Sequence, residues 1–234
     1  MAGVSEPPDA RRRPSRLGAG EAQRLAAIVD PVDWTIVHTL NGSLAGRDWL
    51  EDPITFGASA LVPMVAAATV GLWLVARPYG VPTWKRACLS ALLSAGLALA
   101  LNQTITHYVW ERPRPFAAHP GTVHLFAGGS LDPSFPSDHA AAAFAIAVAV
   151  LFYSRPAGFA FGAVAVAIAV SRVVEGLHYP SDVLAGAVVG GLAAVLVTQL
   201  ARPLVARLAT LLGALTDPLV YRGIQARRRL RPRR

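Results

Sequence analysis

Ala87-Cys-Leu-Ser-Ala-Leu-Leu-Ser-Ala-Gly-Leu-Ala-Leu-Ala-Leu-Asn-Gln-Thr-Ile-Thr106 runs for twenty residues without an Asp, Glu, Lys or Arg. A helix of that length covers the roughly 30 Å hydrocarbon layer of a bilayer. The stretch therefore reads as a membrane span, and it is not alone. Pro53 to Ala76 is equally free of charge, and apolar text resumes over His139 to Ser154, Pro156 to Ser171 and Val183 to Ala201. The sequence predicts five spans and an all-α, polytopic helix bundle. Leu25 to Gly46 is interrupted by Asp30, Asp33 and His38, and Pro31 and Gly42 are expected to break a helix there. It reads as either an interfacial helix or a sixth span.

The composition agrees. The 234 residues are 53% hydrophobic and 15% charged, well below the roughly 25% charge of soluble domains. The net charge of +8 sits mainly at the ends, with Arg11, Arg12, Arg13, Arg16 and Arg24 before the bundle and Arg222, Arg227, Arg228, Arg229, Arg231, Arg233 and Arg234 after it. Arginines flanking apolar runs mark cytoplasmic ends rather than a nucleic-acid surface, so no nucleic-acid partner is expected. The single cysteine, Cys88, excludes an internal disulfide and a multi-cysteine metal site. Four stretches follow: residues 1–24 as a disordered basic tail, 25–52 as the interfacial helix or first span, 53–201 as the membrane domain, and 202–234 as a basic cytoplasmic tail.

Loop charge orients the bundle. Arg77, Lys85, Arg86, Arg155 and the residues after Arg202 are expected inside. The alternate connections carry Glu111, Asp132, Asp138, Glu175 and Asp182 beside Arg112, Arg114 and Arg172, and are expected outside. Gly186 and Gly190 form a pair four residues apart that lets helices approach closely.

The outward loops hold the residues that composition does not explain, because charge beside a bilayer is costly and usually functional. His107 to Phe116 closes one span, Pro133 to His139 opens the next, and Ser171 to Asp182 joins the last two. Arg114 and Arg172 offer planar forks matched to phosphate oxygens. Ser137 stands where a helix start can hold an anion. Two histidines supply a nucleophile and a proton donor. His178 and Asp182 are four apart, so the carboxylate can accept from one ring nitrogen and leave the other free; His139 is then the general acid. Taken singly, an arginine at a helix end usually snorkels and a serine or aspartate at a helix start usually caps it. Three such clusters on one side favour chemistry. Adjacent arginines would repel a cation, so neither a metal nor another cofactor is expected.

At these residues the chain resembles the type 2 phosphatidic acid phosphatase (PAP2) superfamily, which includes vanadium haloperoxidases. The family's signatures are Lys-x6-Arg-Pro, Pro-Ser-x-His and Ser-Arg-x5-His-x3-Asp. The second matches Pro136-Ser137-Asp138-His139 and the third Ser171-Arg172-x5-His178-x3-Asp182. The first, ending at Arg114-Pro115, puts His107 where the family has lysine. The resemblance implies a phosphohistidine at His178, oriented by Asp182, with His139 protonating the leaving group. It also implies a phosphate cradle of Arg114, Ser137, Arg172 and Ser171; His107, at the lysine position, is expected to contact phosphate, the alternative being that Arg112 takes over the lost charge. The wording of the motifs is similar to bacterial undecaprenyl-diphosphate phosphatases of the BcrC type. That implies a membrane-lipid substrate, a polyprenyl diphosphate, hydrolysed on the extracytoplasmic side. Phosphatidylglycerophosphate, phosphatidate, a polyprenyl-phosphosugar and a non-catalytic lipid-binding role are the alternatives.

Overall fold

A computed structural model describes residues 19–75, 83–126, 128–130 and 132–229, which form helices and their connections. In chain order these are α1 (Ala19–Leu44), α2 (Asp48–Ser59), α3 (Leu61–Val75), α4 (Thr83–Tyr108), α5 (Pro115–Ala118), α6 (Asp138–Leu151), α7 (Arg155–Val174) and α8 (Pro180–Val195). A π-helical turn, Leu196–Leu200, then leads into α9 (Arg202–Arg229). The expected all-α bundle is present. Residues 1–18 and 230–234 of the two tails lie outside the described residues.

Span lengths differ from the expectation of five or six. Among the described residues three helical stretches are long and apolar enough to cross a bilayer: Thr83–Tyr108, Arg155–Val174 and Pro180–Leu200. A fourth is available if α2 and α3, bent by 50° relative to each other, count as one broken span. The break falls at Ala60 because Pro63 has no N–H to continue the ladder, and proline is accommodated in the first turn of a new helix. The stretch expected over residues 139–154 is α6, fourteen residues and so only about 21 Å long. It is the central helix, flanked by α4, α7 and α8, with Ala140 to Ala143, Ala145 to Ala147, Ala149 and Val150 buried.

Small side chains set this packing. A Cβ on Gly186 would come within 2.4 Å of the Ser137 carbonyl oxygen, and one on Gly190 within 2.3 Å of the Ala141 carbonyl oxygen. The glycine pair thus brings α8 into backbone contact with α6, as its spacing predicts.

At the N-terminal end, α1 passes through both Pro31 and Gly42, contrary to expectation, and absorbs residues 19–24 of the predicted tail. Proline removes one backbone donor without stopping a helix held by tertiary contacts. The stop comes later, at Gly46, whose φ of 73° suits glycine alone. At the other end, residues 202–229 form α9. Val205 and Ala209 are buried, Asp217 pairs with the buried Lys85 of α4, and the Trp73 indole N–H donates to Thr216 at 3.2 Å.

Candidate active site

One end of the bundle gathers the three clusters. The loop from α7 to α8 turns at Gly176, with φ 70°, and delivers His178 just before α8 begins. His178 is 2% exposed. Its Nδ1 lies 2.8 Å from the Ser134 carbonyl oxygen. A carbonyl can only accept, so Nδ1 carries the proton and Nε2 keeps its lone pair. Nε2 in turn receives an N–H from Arg114 Nη1 at 3.2 Å. Burial, with the guanidinium charges of Arg114 and Arg172 adding to it, holds the ring below histidine's ordinary range against the pull of Asp182. The result is a neutral imidazole with its nucleophilic nitrogen directed toward arginine.

Asp182 does not make the contact the spacing suggests. Its Oδ2 is 3.8 Å from His178 Nδ1, beyond hydrogen-bond reach. The carboxylate is committed elsewhere: Oδ2 accepts the Tyr179 N–H at 2.8 Å, capping α8, and Oδ1 accepts Arg112 Nη1 at 2.8 Å. The Ser134 carbonyl is the hydrogen-bonding orienter, and Asp182 acts on His178 through its charge.

Arg112 is likewise occupied. Nη1 also donates to Ser181 Oγ at 2.7 Å and Nη2 donates to Asp33 Oδ2 at 2.9 Å, while the guanidinium lies 3.7 Å over the Tyr179 ring. Asp182 and Asp33, outweighing burial, hold its pKa above the ordinary arginine value. Arg112 is a buried brace between two carboxylates. Asp33 completes the brace by accepting from the Ser181 N–H at 3.1 Å and from the Ser181 hydroxyl. Helix α1 thereby reaches the start of α8. It adds Asn41, which donates to the His124 and Val174 carbonyls and accepts the His124 N–H, each at 2.8 Å, and Trp34, stacked on His119 at 3.6 Å.

Arg114 extends from the start of α5, its Nε donating to the Asp132 carbonyl at 2.8 Å and Nη1 to the Leu177 carbonyl at 3.1 Å. Arg172, in the last turn of α7, has Nη1 3.7 Å from Glu175 Oε2. Burial pushes the Glu175 carboxyl up to about 7, against Arg172 and a Thr55 hydrogen bond. His139, at the start of α6, is within electrostatic reach of Arg172, His178 and Arg114. Arg114, His139, Arg172 and His178 thus form a common cluster.

Three further predicted contributors have other contacts. Ser137 is a fully buried N-cap whose backbone N–H donates to the Asp182 carbonyl at 3.0 Å. The Ser171 hydroxyl donates back to Ala167 at 2.9 Å, where Gly57 of α2 crosses so closely that a Cβ there would sit 2.5 Å from it. His107 is exposed and meets Tyr108 edge-on at 4.7 Å.

The motif arrangement is matched by a family description: the PAP2 superfamily model covers residues 87–205. The chain belongs to the PAP2 superfamily. It is a phosphatase of that family and a multi-pass membrane protein, as expected. Among relatives, undecaprenyl-diphosphatase BcrC of Bacillus subtilis (strain 168) is 32% identical over 158 residues, 68% of this chain and 78% of that protein. The putative undecaprenyl-diphosphatase YbjG of Escherichia coli (strain K12) is 28% identical over 70% of this chain and 79% of its own. The PAP2 fold is similar to that of crystalline Aquifex aeolicus LpxE, with TM-score 0.53 and 23% identity over 70% of this chain and 93% of that one. It is also similar to a transmembrane PAP2-type phosphatidylglycerolphosphate phosphatase from Bacillus subtilis, with TM-score 0.53 and 24% identity over 78% of this chain and 92% of that one. Helix α1, with Asp33, lies before the matched PAP2 segment.

Proposed function

We propose that this PAP2 phosphatase removes the terminal phosphate of a polyprenyl diphosphate of the undecaprenyl type, on the extracytoplasmic face, with its C-terminus in the cytoplasm. The observation that carries the reading is the state of His178: buried, neutral, protonated at Nδ1 by the demand of the Ser134 carbonyl, and presenting Nε2 beside Arg114. A phosphate oxygen replacing the Nε2 contact of Arg114 puts phosphorus in line with that lone pair. Nε2 then forms the N–P bond as the bond to the bridging oxygen breaks, and His139, which takes up a proton as the anionic headgroup enters, gives it to the departing monophosphate. Water attacks the phosphohistidine, passes a proton back to His139, and releases inorganic phosphate together with the neutral His178 ring. Arg114 and Arg172 supply fixed positive charge where negative charge develops, and the scheme uses no metal or other cofactor.

The polyprenyl choice is supported by the names of the BcrC and YbjG relatives. An apolar groove of about 340 Å³, lined by Ile36, Leu40, Phe144, Val173, Val183 and Ala187 among others, begins beside the site and suits part of a lipid chain. The side of the membrane rests on loop charge. Phosphate release by the purified protein across polyprenyl diphosphate, phosphatidylglycerophosphate and phosphatidate tests the substrate. Preference for the polyprenyl diphosphate is expected; a higher kcat/KM on either glycerophospholipid rejects it.

A further inference from the structure

A second basic concavity lies at the opposite end of the bundle. A cavity of about 260 Å³ is lined by Thr83, Arg86, Tyr153, Gln199 and Arg202, with Phe152 and Thr198 completing it. Thr83 opens α4 and Tyr108 closes it, so the cavity is roughly 35 Å from the His107 end. It cannot be a subsite of the catalytic cluster.

Its chemistry is one-sided. Two arginines face it, and among the described residues no carboxylate lines it. Arg86 Nε is buried without a hydrogen-bond partner, a state that costs free energy unless a ligand or water relieves it. Both arginines stand in the first turn of a helix, α4 and α9, and neither turn holds an acid. A cation at the start of α4 opposes the helix dipole, whereas an anion between the two would be favoured by the α4 dipole and by both guanidinium groups. The π-helical turn Leu196–Leu200 brings the Gln199 amide to the same wall, adding a neutral donor. The Tyr153 hydroxyl is tied to Ser90 at 2.9 Å, fixing the aromatic side of the cavity.

We propose that this cavity is a second anion site, binding a phosphate group that belongs either to the headgroup of an acidic bilayer lipid or to free phosphate. Arg86 and Arg202 clasp the phosphate, and the end of the bundle they occupy is where lipid headgroups meet spans of this length. Substrate hydrolysis at the far end does not require it.

Thermal unfolding of the purified full-length protein in neutral detergent tests the site. The probes are phosphatidylglycerol, phosphatidylcholine and inorganic phosphate, applied to the wild type and to the Arg86→Gln/Arg202→Gln variant. At ligand concentrations near a hundred times Kd, the wild type is expected to gain roughly 5–10 °C over the variant. A difference with phosphatidylglycerol alone assigns the lipid headgroup, and an equal difference with inorganic phosphate assigns the free ion. Equal shifts in wild type and variant with every probe overturn the proposal. Where the double variant loses hydrolysis and so has not folded, Gln199→Glu replaces it: the introduced carboxylate should abolish the shift while hydrolysis persists, and an undiminished shift overturns the proposal equally.

Discussion

Replacing Asp33 by alanine removes three hydrogen bonds at once: those from Arg112 at 2.9 Å, from the Ser181 N–H at 3.1 Å and from the Ser181 hydroxyl. Stripping a partner from a buried charge costs about 3–5 kcal/mol when nothing else neutralises it. Arg112 keeps Asp182 at 2.8 Å and its position over Tyr179, so the loss here is nearer 2–3 kcal/mol, the range of one or two charged hydrogen bonds. For a chain of this size that is a fall of roughly 4–12 °C in melting temperature. Catalysis should suffer beyond this. Ser181 adjoins Asp182 and lies three residues past His178, and a misplacement of about 1 Å at the reacting atoms costs up to about a hundredfold. Melting and kcat/KM of Asp33→Ala and Asp33→Asn would be measured together, with the amide, which keeps one acceptor for the Ser181 N–H, expected between alanine and wild type. A wild-type melting temperature with unchanged kcat/KM for Asp33→Ala would refute the claim that α1 braces the site.

Other outcomes follow from the same contacts. The Glu175 carboxyl, pushed up by burial from the ordinary carboxylate range to about 7, contributes stability that is present below the unfolded value and lost as pH rises through about 7. Glu175→Gln should therefore be more stable than wild type above pH 7 by on the order of 3 kcal/mol and equal to it near pH 4; parallel melting curves across that window would contradict this. Filling the lipid groove with Ala187→Trp should raise KM for a long polyprenyl diphosphate at least several-fold and spare a short-chain substrate, and equal effects on both would remove the groove from the account. Gly190→Ala drives a methyl against the Ala141 carbonyl oxygen at 2.3 Å and should cost about 1–3 kcal/mol in thermal or denaturant unfolding; a neutral result would mean that α6 and α8 part without cost.

The charged cluster was legible because its chemistry is written in side chains at short spacing: Arg114, His139, Arg172 and His178 gather at one end of the bundle. What supports them was not. The Ser134 carbonyl orients His178 through a backbone atom, which has no signature in sequence. Asp33 lies about 150 residues before Ser181, its partner in the structure, and within its own helix it reads only as an interruption of an apolar run. The first family signature points Arg112 to phosphate and the four-residue spacing points Asp182 to His178, yet Arg112 and Asp182 bond each other at 2.8 Å. Span lengths failed for a related reason: α6, being alanine-rich and wrapped by other helices, is apolar like a span while only fourteen residues long.

His178 is the proposed nucleophile. Single-turnover reaction of the wild type and of His178→Ala with terminally labelled polyprenyl diphosphate, quenched in base and followed by peptide mapping, tests it most directly. Acid-labile label on the peptide carrying His178, absent from the alanine variant together with phosphate release, is the expected result. Full phosphate release by His178→Ala, or label mapping to another residue, would contradict it.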